Sequence, residues 1–251
     1  MINIILQGKG GVGKSLISSL LAQYLLTKSK NPVFIDTDPV NATFAGYQTL
    51  GLPVTHINIL QDGNVNPREF DKLMDLIIST PDADFVIDNG ATSFLPISSY
   101  LYDNNAIEIL KEMGHSITLH TVVTGGQALL DTLSGVKTLA SQFDYTQDGT
   151  NLVVWANEYF GEIESKGKKL EEMSAYKTHK DKMSGLIVID RQNELSRQDV
   201  KEMLESKLTF DDVKKAESFS FMAKNRINIF KGQIFESIDA VYKTLSVSKG
   251  K

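Results

Sequence analysis

The sequence predicts an α/β protein with three layers, in which helices cover both faces of a mostly parallel central sheet. Short apolar segments typical of strands alternate along the chain with longer segments of helical periodicity. Strands joined through helices pair in parallel, so this alternation favours a parallel sheet. The predicted strands lie near 2–7, 33–36, 84–88, 116–123, 151–156 and 184–189, and the predicted helices near 15–29, 67–79, 97–112, 126–141, 168–181, 198–206 and 219–245.

A glycine-rich loop joins the first predicted strand to the first predicted helix. Residues 8–15 read Gly-Lys-Gly-Gly-Val-Gly-Lys-Ser, the pattern of a phosphate-binding loop. Its backbone N–H groups can point at phosphate oxygens, and the helix N-terminus adds positive potential. Lys14 can reach the β- and γ-phosphates, while the Ser15 hydroxyl suits Mg²⁺. The alternative is an ordinary glycine turn. The residues predicted to bind a nucleotide here are Gly8, Lys9, Gly10, Gly11, Val12, Gly13, Lys14, Ser15 and Leu16.

Acidic side chains end the second and third predicted strands. Asp36 and Asp38 lie two residues apart, so both point to the same side while the chain is extended, and Asp88 ends the next strand. Ligands bind beyond the carboxyl ends of parallel strands. We therefore expect Asp36 and Asp88 to join Ser15 at Mg²⁺, and Asp38 to position the attacking water. Gly90 would let the backbone approach the γ-phosphate. The alternatives are a turn at Asp38-Pro39, a helix cap at Asp36 and a plain strand-end carboxylate at Asp88.

The identity of the base is predicted from one residue and from one missing motif. Asn157 follows the strand near 151–156, and its amide could pair with the N6 and N7 edge of adenine. The Asn-Lys-x-Asp motif that reads guanine does not occur in the chain. ATP, with ADP as its product, is therefore favoured over GTP. A turn asparagine at the end of a strand explains Asn157 equally well.

The composition excludes several classes of function. The 251 residues include no cysteine, which excludes disulfides, iron–sulfur clusters and thiolate catalysis. The net charge is −5, but residues 214–251 hold eight Lys or Arg against three Asp or Glu, so a basic tail follows an acidic body. No linker, repeat or apolar run of about 20 residues interrupts the chain. We expect a single P-loop ATPase domain over residues 1–251, located in the cytoplasm.

Three of these motifs together resemble the deviant Walker A ATPases of the ParA/MinD family. They are the loop from Lys9 to Ser15, the segment Asp36-Thr37-Asp38-Pro39, and Asp88. The resemblance implies the three-layer P-loop NTPase fold, with ATP and Mg²⁺ as ligands. It also implies an ATP-dependent homodimer in which Lys9 reaches across to the phosphates of the partner. Lys9, Lys14 and Asp38 would then be the catalytic residues.

Longer segments are similar to the TraL proteins of conjugative plasmids, namely residues 6–15, 35–44, 87–90 and 121–132. This similarity implies a role in conjugative DNA transfer, with a transfer or secretion component as the partner. The chain departs from typical partition ATPases at Val40, where they usually carry Gln. It also has Asn89-Gly90 where they often have a small residue and Pro. We therefore expect slow hydrolysis that a partner stimulates.

Three functions follow from these patterns. The leading hypothesis is an Mg²⁺-dependent ATPase that dimerises on ATP and acts in conjugative transfer. The second is a plasmid partition ATPase whose dimers coat DNA through basic residues. The third is a weakly hydrolysing interaction module, whose basic final helix near 219–245 docks a partner or an anionic membrane. That docking would place the protein at the inner membrane or the transfer apparatus. The alternative for this helix is core packing with a solvated lysine face.

Overall fold

The computed structural model describes residues 1–50, 52–145 and 150–247. Within these ranges, seven strands form the central sheet and two short hairpins lie outside it. The strands are β1 (Ile2–Ile5), β2 (Pro32–Asp36), β3 (Val54–His56), β4 (Asp84–Asp88), β5 (Ile117–Thr124), β6 (Thr150–Asn157) and β7 (Gly185–Ile189). The helices are α1 (Lys14–Leu25), α2 (Glu69–Ile78), α3 (Phe94–Asp103), α4 (Ala106–Glu112), α5 (Leu129–Gln142), α6 (Ser174–Lys177), α7 (Glu194–Glu205), α8 (Phe210–Lys215) and α9 (Phe221–Val247).

The strands of the central sheet pair in the order β7-β6-β5-β1-β4-β2-β3, and every pairing is parallel. Ile5 at the end of β1 lies opposite Asp88 on one side and His120 on the other. Asp36 in turn lies opposite Asp88. The carboxyl ends of β1, β4 and β2 therefore meet near the centre of one edge. The predicted three-layer α/β class is confirmed, and the sheet is parallel throughout.

Apolar side chains on both faces of the sheet form the core. Residues on β1 alternate between the faces, because successive side chains of a strand point in opposite directions. Ile5 packs with α1, α7, α8 and α9, whereas Ile2 and Ile4 pack with α2, α3 and α4. The stripe predicted for the final helix is buried on the first of these faces, as Ile227, Phe230, Ile234, Ile238 and Leu245. The core-packed reading of α9 is therefore confirmed for this stripe.

Two of the predicted helices differ from the observed ones. The segment near 97–112 forms two helices, because Asn105 adopts a left-handed conformation with φ of 49° and interrupts the helical path. The segment near 168–181 begins with a β-hairpin that pairs Glu164–Ser165 with Lys168–Lys169. Lys166 and Gly167 both have positive φ in the turn of this hairpin, which a helix does not allow. Only α6 of that predicted helix is α-helical.

The sequence patterns also missed the edge strand β3, the helix α8 and the hairpin that pairs Leu60–Gln61 with Asn64–Val65. The edge strand β3 has only three residues, which is too short for a periodic pattern. The six residues of α8 begin with a capping box in which Thr209 and Asp212 exchange hydrogen bonds. Among the helices in the described parts of the chain, none is both long and apolar enough to cross a membrane. The prediction of a single domain over residues 1–251 stays a prediction.

Candidate functional site

The glycine-rich loop leads from β1 into the N-terminus of α1. Gly11 has φ of 74° and Gly13 has φ of 102°, values that residues with a Cβ rarely adopt. Gly13 is the N-cap of α1, and no side chain caps this end of the helix. The N–H groups of the first turn therefore stay available for an anion, and the helix dipole favours negative charge there.

A cavity of about 450 Å³ opens over this loop, at the carboxyl ends of the central strands. Seven of the predicted site residues line it, and they are Gly10, Gly11, Gly13, Lys14, Ser15, Leu16 and Asp38. The lining also includes side chains from neighbouring loops, namely Val40, Asn41, Thr43, Ala91, Thr92 and Phe160. Its volume falls within the range of small-molecule sites. The predicted residues Gly8, Lys9, Val12, Asp36, Asp88 and Asn157 are not part of the lining.

Lys14 is mostly buried and folds back over the loop. Its Nζ donates a hydrogen bond to the carbonyl oxygen of Lys9 at 3.0 Å. Burial lowers the pKa of Lys14 below its usual value, while the nearby Asp88 and Asp38 carboxylates act in the opposite direction. A phosphate group would bring negative charge to this ammonium group and offset its desolvation. The side chain is therefore placed to bind an anion in the cavity.

Asp88 lies beneath the loop with no solvent exposure. Burial raises its pKa to about 7, although the nearby Ser15 and Ser18 hydroxyls act against this shift. Its Oδ1 accepts from the Ser18 hydroxyl at 2.8 Å, whereas its Oδ2 is buried without a hydrogen-bond partner among the described residues. A buried carboxylate oxygen without a partner is unfavourable unless a cation or a proton satisfies it. Asp88 therefore fits a metal ion at this point.

The donors near Asp88 suit Mg²⁺ in particular. Across the described ranges, no group of three or more His, Cys, Asp or Glu side chains is placed to hold a metal. A cation beside Asp88 would instead use the Ser15 hydroxyl, phosphate oxygens and water, the mixed oxygen shell that Mg²⁺ adopts with nucleotides. The residues present therefore fit a magnesium ion bound together with a nucleotide.

Asp36 and Asp38 make different contacts. Asp36 is fully buried, and its two oxygens accept from the backbone N–H groups of Asp38 at 2.9 Å and Ala45 at 2.8 Å. Burial raises its pKa, and these two hydrogen bonds oppose the shift. Asp38 lines the cavity, and its Oδ1 accepts from the N–H groups of Val40 and Asn41. Asp36 thus organises the strand end, and its predicted role at the metal stays a prediction.

Asn157 lies against the phosphate-binding loop. Its Nδ2 donates to the carbonyl oxygen of Val12 at 2.9 Å, and its Oδ1 accepts from the N–H of Tyr159 at 3.2 Å. The side chain has no solvent exposure. Both ends of the amide are therefore engaged with the protein, and the contacts assign Asn157 to supporting the loop. Its predicted pairing with adenine stays a prediction.

Lys9 lies at the rim of the site, where it forms an ion pair with Asp131 on α5. Gln7, which directly precedes the phosphate-binding loop, also contacts α5. Its Nε2 donates to the carbonyl oxygen of Thr132 on α5 and to that of Val122 on β5. A methyl group on Gly135 would lie 2.1 Å from Gln7 Oε1, so a side chain there would displace the Gln7 amide. The start of α5 is therefore coupled to the start of the phosphate-binding loop.

The sequence patterns missed several of these contacts. Ser18 was recognisable in principle, because it follows Ser15 by three residues and therefore lies on the same face of α1. Asp131 lies within a segment that resembles known proteins, but nothing in the pattern pairs it with Lys9. Phe160 lies in a loop after β6, and its position beside the cavity depends on how that loop folds.

Comparisons with known proteins agree with this geometry. The model of the family described as "CobQ/CobB/MinD/ParA nucleotide binding domain" matches residues 3–227. Two relatives, each named "Protein TraL" from Escherichia coli, are 48% and 45% identical to the chain over 240 and 239 residues. Each alignment covers 95% of this chain and 97% of the relative.

Solved structures show the same fold. The septum site-determining protein MinD from Pyrococcus horikoshii OT3, complexed with Mg-ADP, is similar with a TM-score of 0.54. The similarity covers 97% of this chain and 98% of that chain at 16% sequence identity. This likeness extends over nearly the whole length of both chains. The seven-stranded parallel sheet with helices on both faces is therefore the P-loop NTPase fold.

Proposed function

Because this chain belongs to the CobQ/CobB/MinD/ParA nucleotide-binding family, we propose that it is an Mg²⁺-dependent ATPase that dimerises on binding ATP. One observation carries the proposal. The cavity over the phosphate-binding loop brings Lys14, Ser15 and Asp38 together above the buried Asp88. These residues can provide a phosphate ligand, a metal ligand, a water-positioning carboxylate and a second carboxylate for the cation.

Dimerisation is proposed from the position of Lys9. This lysine does not line the cavity of its own chain, and its side chain is 44% exposed. An exposed ammonium group at the rim can reach phosphates that a second copy presents. ATP would then bridge the two copies, whereas ADP would leave the partner's lysine without its terminal phosphate. We propose slow hydrolysis that a partner protein stimulates.

Light scattering coupled to gel filtration tests this switch. We expect the protein with Mg²⁺ and ATP to elute as a dimer, and the protein with ADP to elute as a monomer. Lys14→Ala should abolish ATP binding and dimerisation, while Lys9→Ala should retain ATP binding and lose the dimer. Lys137→Ala on the outer part of α5 is a matched control for removing a lysine. A wild-type protein that binds no ATP, or stays monomeric with it, would refute the switch.

We propose that this switch acts in plasmid conjugative DNA transfer. The proposal rests on full-length similarity to the two TraL proteins and on the segments shared with that family. The partner would be a component of the transfer or secretion apparatus, and the protein would act in the cytoplasm at that apparatus. A conjugation assay with a plasmid carrying Lys14→Ala tests this role. We expect the transfer frequency to fall, with normal plasmid retention in the donor.

Partition through DNA binding is the second candidate, and the contacts of α9 favour it less. Several cations on this helix are already engaged. Arg226 pairs with Asp199, Lys231 with Asp211, and Lys224 donates to the carbonyl oxygen of Lys214. Phosphate binding by such residues requires breaking these contacts, which reduces the electrostatic gain. Plasmid loss with unchanged transfer frequency in the Lys14→Ala plasmid would favour partition instead.

Docking of a membrane or a partner protein through α9 is a third candidate, and it depends on the exposed start of this helix. Phe221 and Met222 at the start of this helix are 83% and 55% exposed. An apolar surface of this kind supports docking of a transfer protein more than electrostatic binding to anionic lipid. Flotation with anionic vesicles, comparing the wild type with a Phe221→Ser, Met222→Ser variant, tests the membrane alternative. Equal flotation of the two proteins would remove it.

A further inference from the structure

Phe160 is an exposed aromatic side chain at the edge of the nucleotide cavity. Its side chain is 57% exposed, although it lines the cavity over the phosphate-binding loop. The ring faces the last glycine of that loop, since a methyl group on Gly13 would lie 3.5 Å from Phe160 Cε2. Covering an apolar ring with a ligand removes it from water, which is energetically favourable. Nothing in the phosphate chemistry of the site uses this ring.

The loop that carries Phe160 is held in a defined position. The Asn157 amide donates to the carbonyl oxygen of Val12 in the phosphate-binding loop and accepts from the N–H of Tyr159. Gly161 closes a turn by donating its N–H to the Glu158 carbonyl oxygen, and its φ of 139° suits glycine. The ring of Phe160 packs edge to face on Tyr159 at 5.3 Å between centroids. The ring is therefore set in place before any ligand arrives.

The order of strands determines which end of a nucleotide would meet this ring. The acidic residues Asp36 and Asp88 end β2 and β4, which lie on one side of β1. Phe160 follows β6, which lies on the other side of β1. A terminal phosphate and its cation belong beside the carboxylates. The nucleoside must then extend away from them, towards β6 and Phe160.

We propose that the Phe160 ring packs against the purine base of the bound nucleotide. This inference rests on the proposed function, because it assumes a nucleoside triphosphate in this cavity. Each end of the Asn157 amide already makes one hydrogen bond to the protein, whereas the exposed Phe160 ring is open to the face of a base. Stacking on an aromatic ring tolerates any base, because every base has a π-face. Phe160 therefore contributes affinity for the nucleoside part of the ligand rather than selection of adenine over guanine.

Calorimetric titration of the full chain with two ligands tests this assignment. ATP has a base and inorganic tripolyphosphate has none, and both are titrated with Mg²⁺. We expect Phe160→Ala to weaken ATP binding by about 5- to 150-fold, the range for losing one base stack. Tripolyphosphate binding should change less than twofold, and Phe160→Tyr should bind ATP like the wild type. Tyr102→Ala on α3 removes an aromatic ring of similar exposure, 58%, and should change neither affinity.

The outcomes separate this inference from the proposed function. If Phe160→Ala binds ATP as the wild type does while Lys14→Ala does not bind, the ATPase proposal stands and the base-packing role is wrong. An equal loss of affinity for ATP and tripolyphosphate would also overturn it, because the substitution would then have disturbed the phosphate-binding loop. If the wild type binds neither ligand, the proposed function fails and the role of Phe160 fails with it.

Discussion

Lys9 Nζ lies 2.8 Å from Oδ2 of Asp131, so the lysine at the rim of the phosphate-binding loop is tied to α5 of its own chain. The side chains are 44% and 57% exposed. An ion pair in this much solvent contributes only about 0–1 kcal/mol, so it can open readily. A lysine that reaches across to a second copy must first leave Asp131. The pair therefore opposes the proposed dimer by a small amount.

Releasing Lys9 should favour the dimer. We expect Asp131→Asn to lower the dissociation constant of the ATP-bound dimer by up to about 30-fold, since neither of the two Lys9 side chains in the dimer has to leave an ion pair worth up to about 1 kcal/mol. Sedimentation velocity over a concentration series measures this constant. Asp103→Asn is a matched control, because it also removes one exposed carboxylate. A weaker dimer in Asp131→Asn would indicate that Asp131 positions Lys9 in the assembled state.

The raised pKa of Asp88 should make stability depend on pH. The folded-state pKa of about 7 lies above the ordinary value of 3.8, so the folded chain binds more protons than the unfolded chain between these pH values. The free energy of unfolding should therefore fall as pH rises from about 4 to 7, by roughly 3 kcal/mol from this residue. Asp88→Asn should lose this contribution, and Asp190→Asn, which removes an exposed carboxylate, should keep it. Urea denaturation at several pH values gives the comparison, and parallel curves for Asp88→Asn and wild type would contradict it.

A side chain at Gly90 should displace the candidate water-positioning residue. A methyl group there would lie 2.7 Å from Asp38 Oδ1 and 3.0 Å from Pro39 Cδ. We expect Gly90→Ala to reduce ATP turnover by about tenfold to a hundredfold, the effect of a small misplacement at a reacting centre. ATP affinity should change much less, because the phosphate-binding loop is untouched. Gly232→Ala on α9 meets no atom within 4 Å and should leave turnover unchanged. Normal turnover in Gly90→Ala would argue against Asp38 as the water-positioning group.

The buried pair of Trp155 and His120 should stabilise the centre of the sheet. Trp155 Nε1 donates to His120 Nδ1 at 3.0 Å, so the other ring nitrogen, Nε2, carries the proton and faces Asn3 Oδ1 at 3.1 Å. Burial lowers the pKa of His120 to about 3, which keeps the ring neutral. We expect Trp155→Phe to lower the free energy of unfolding by about 1–3 kcal/mol, because it leaves a buried acceptor without its donor. Thermal denaturation at neutral pH measures this loss, and Phe143→Leu at the border of the core offers an aromatic control. An unchanged melting temperature would show that the hydrogen bond adds no net stability.

Much of the fold could be read from local patterns. All six predicted strands are present, because buried parallel strands are continuous apolar segments that composition reveals. The edge strand β3 and the hairpin at 164–169 were missed, because their conformations depend on neighbours and on turn residues with positive φ. Asn105 likewise broke a helix that periodicity alone predicts as continuous.

The phosphate-binding loop and the strand-end acids could be predicted from local patterns, since the spacing of Gly13, Lys14 and Ser15 is local and the carboxyl ends of parallel strands must share one edge. What each of these side chains contacts depends instead on how the whole chain packs. In the folded chain both oxygens of Asp36 accept from backbone N–H groups, and Asn157 donates to the phosphate-binding loop. Asp88 Oδ2 has no hydrogen-bond donor among the described residues. Asp131 lies beside Lys9, and Phe160 lies beside Gly13. These contacts join residues far apart in the chain, so packing of whole elements determines them and no local pattern encodes them.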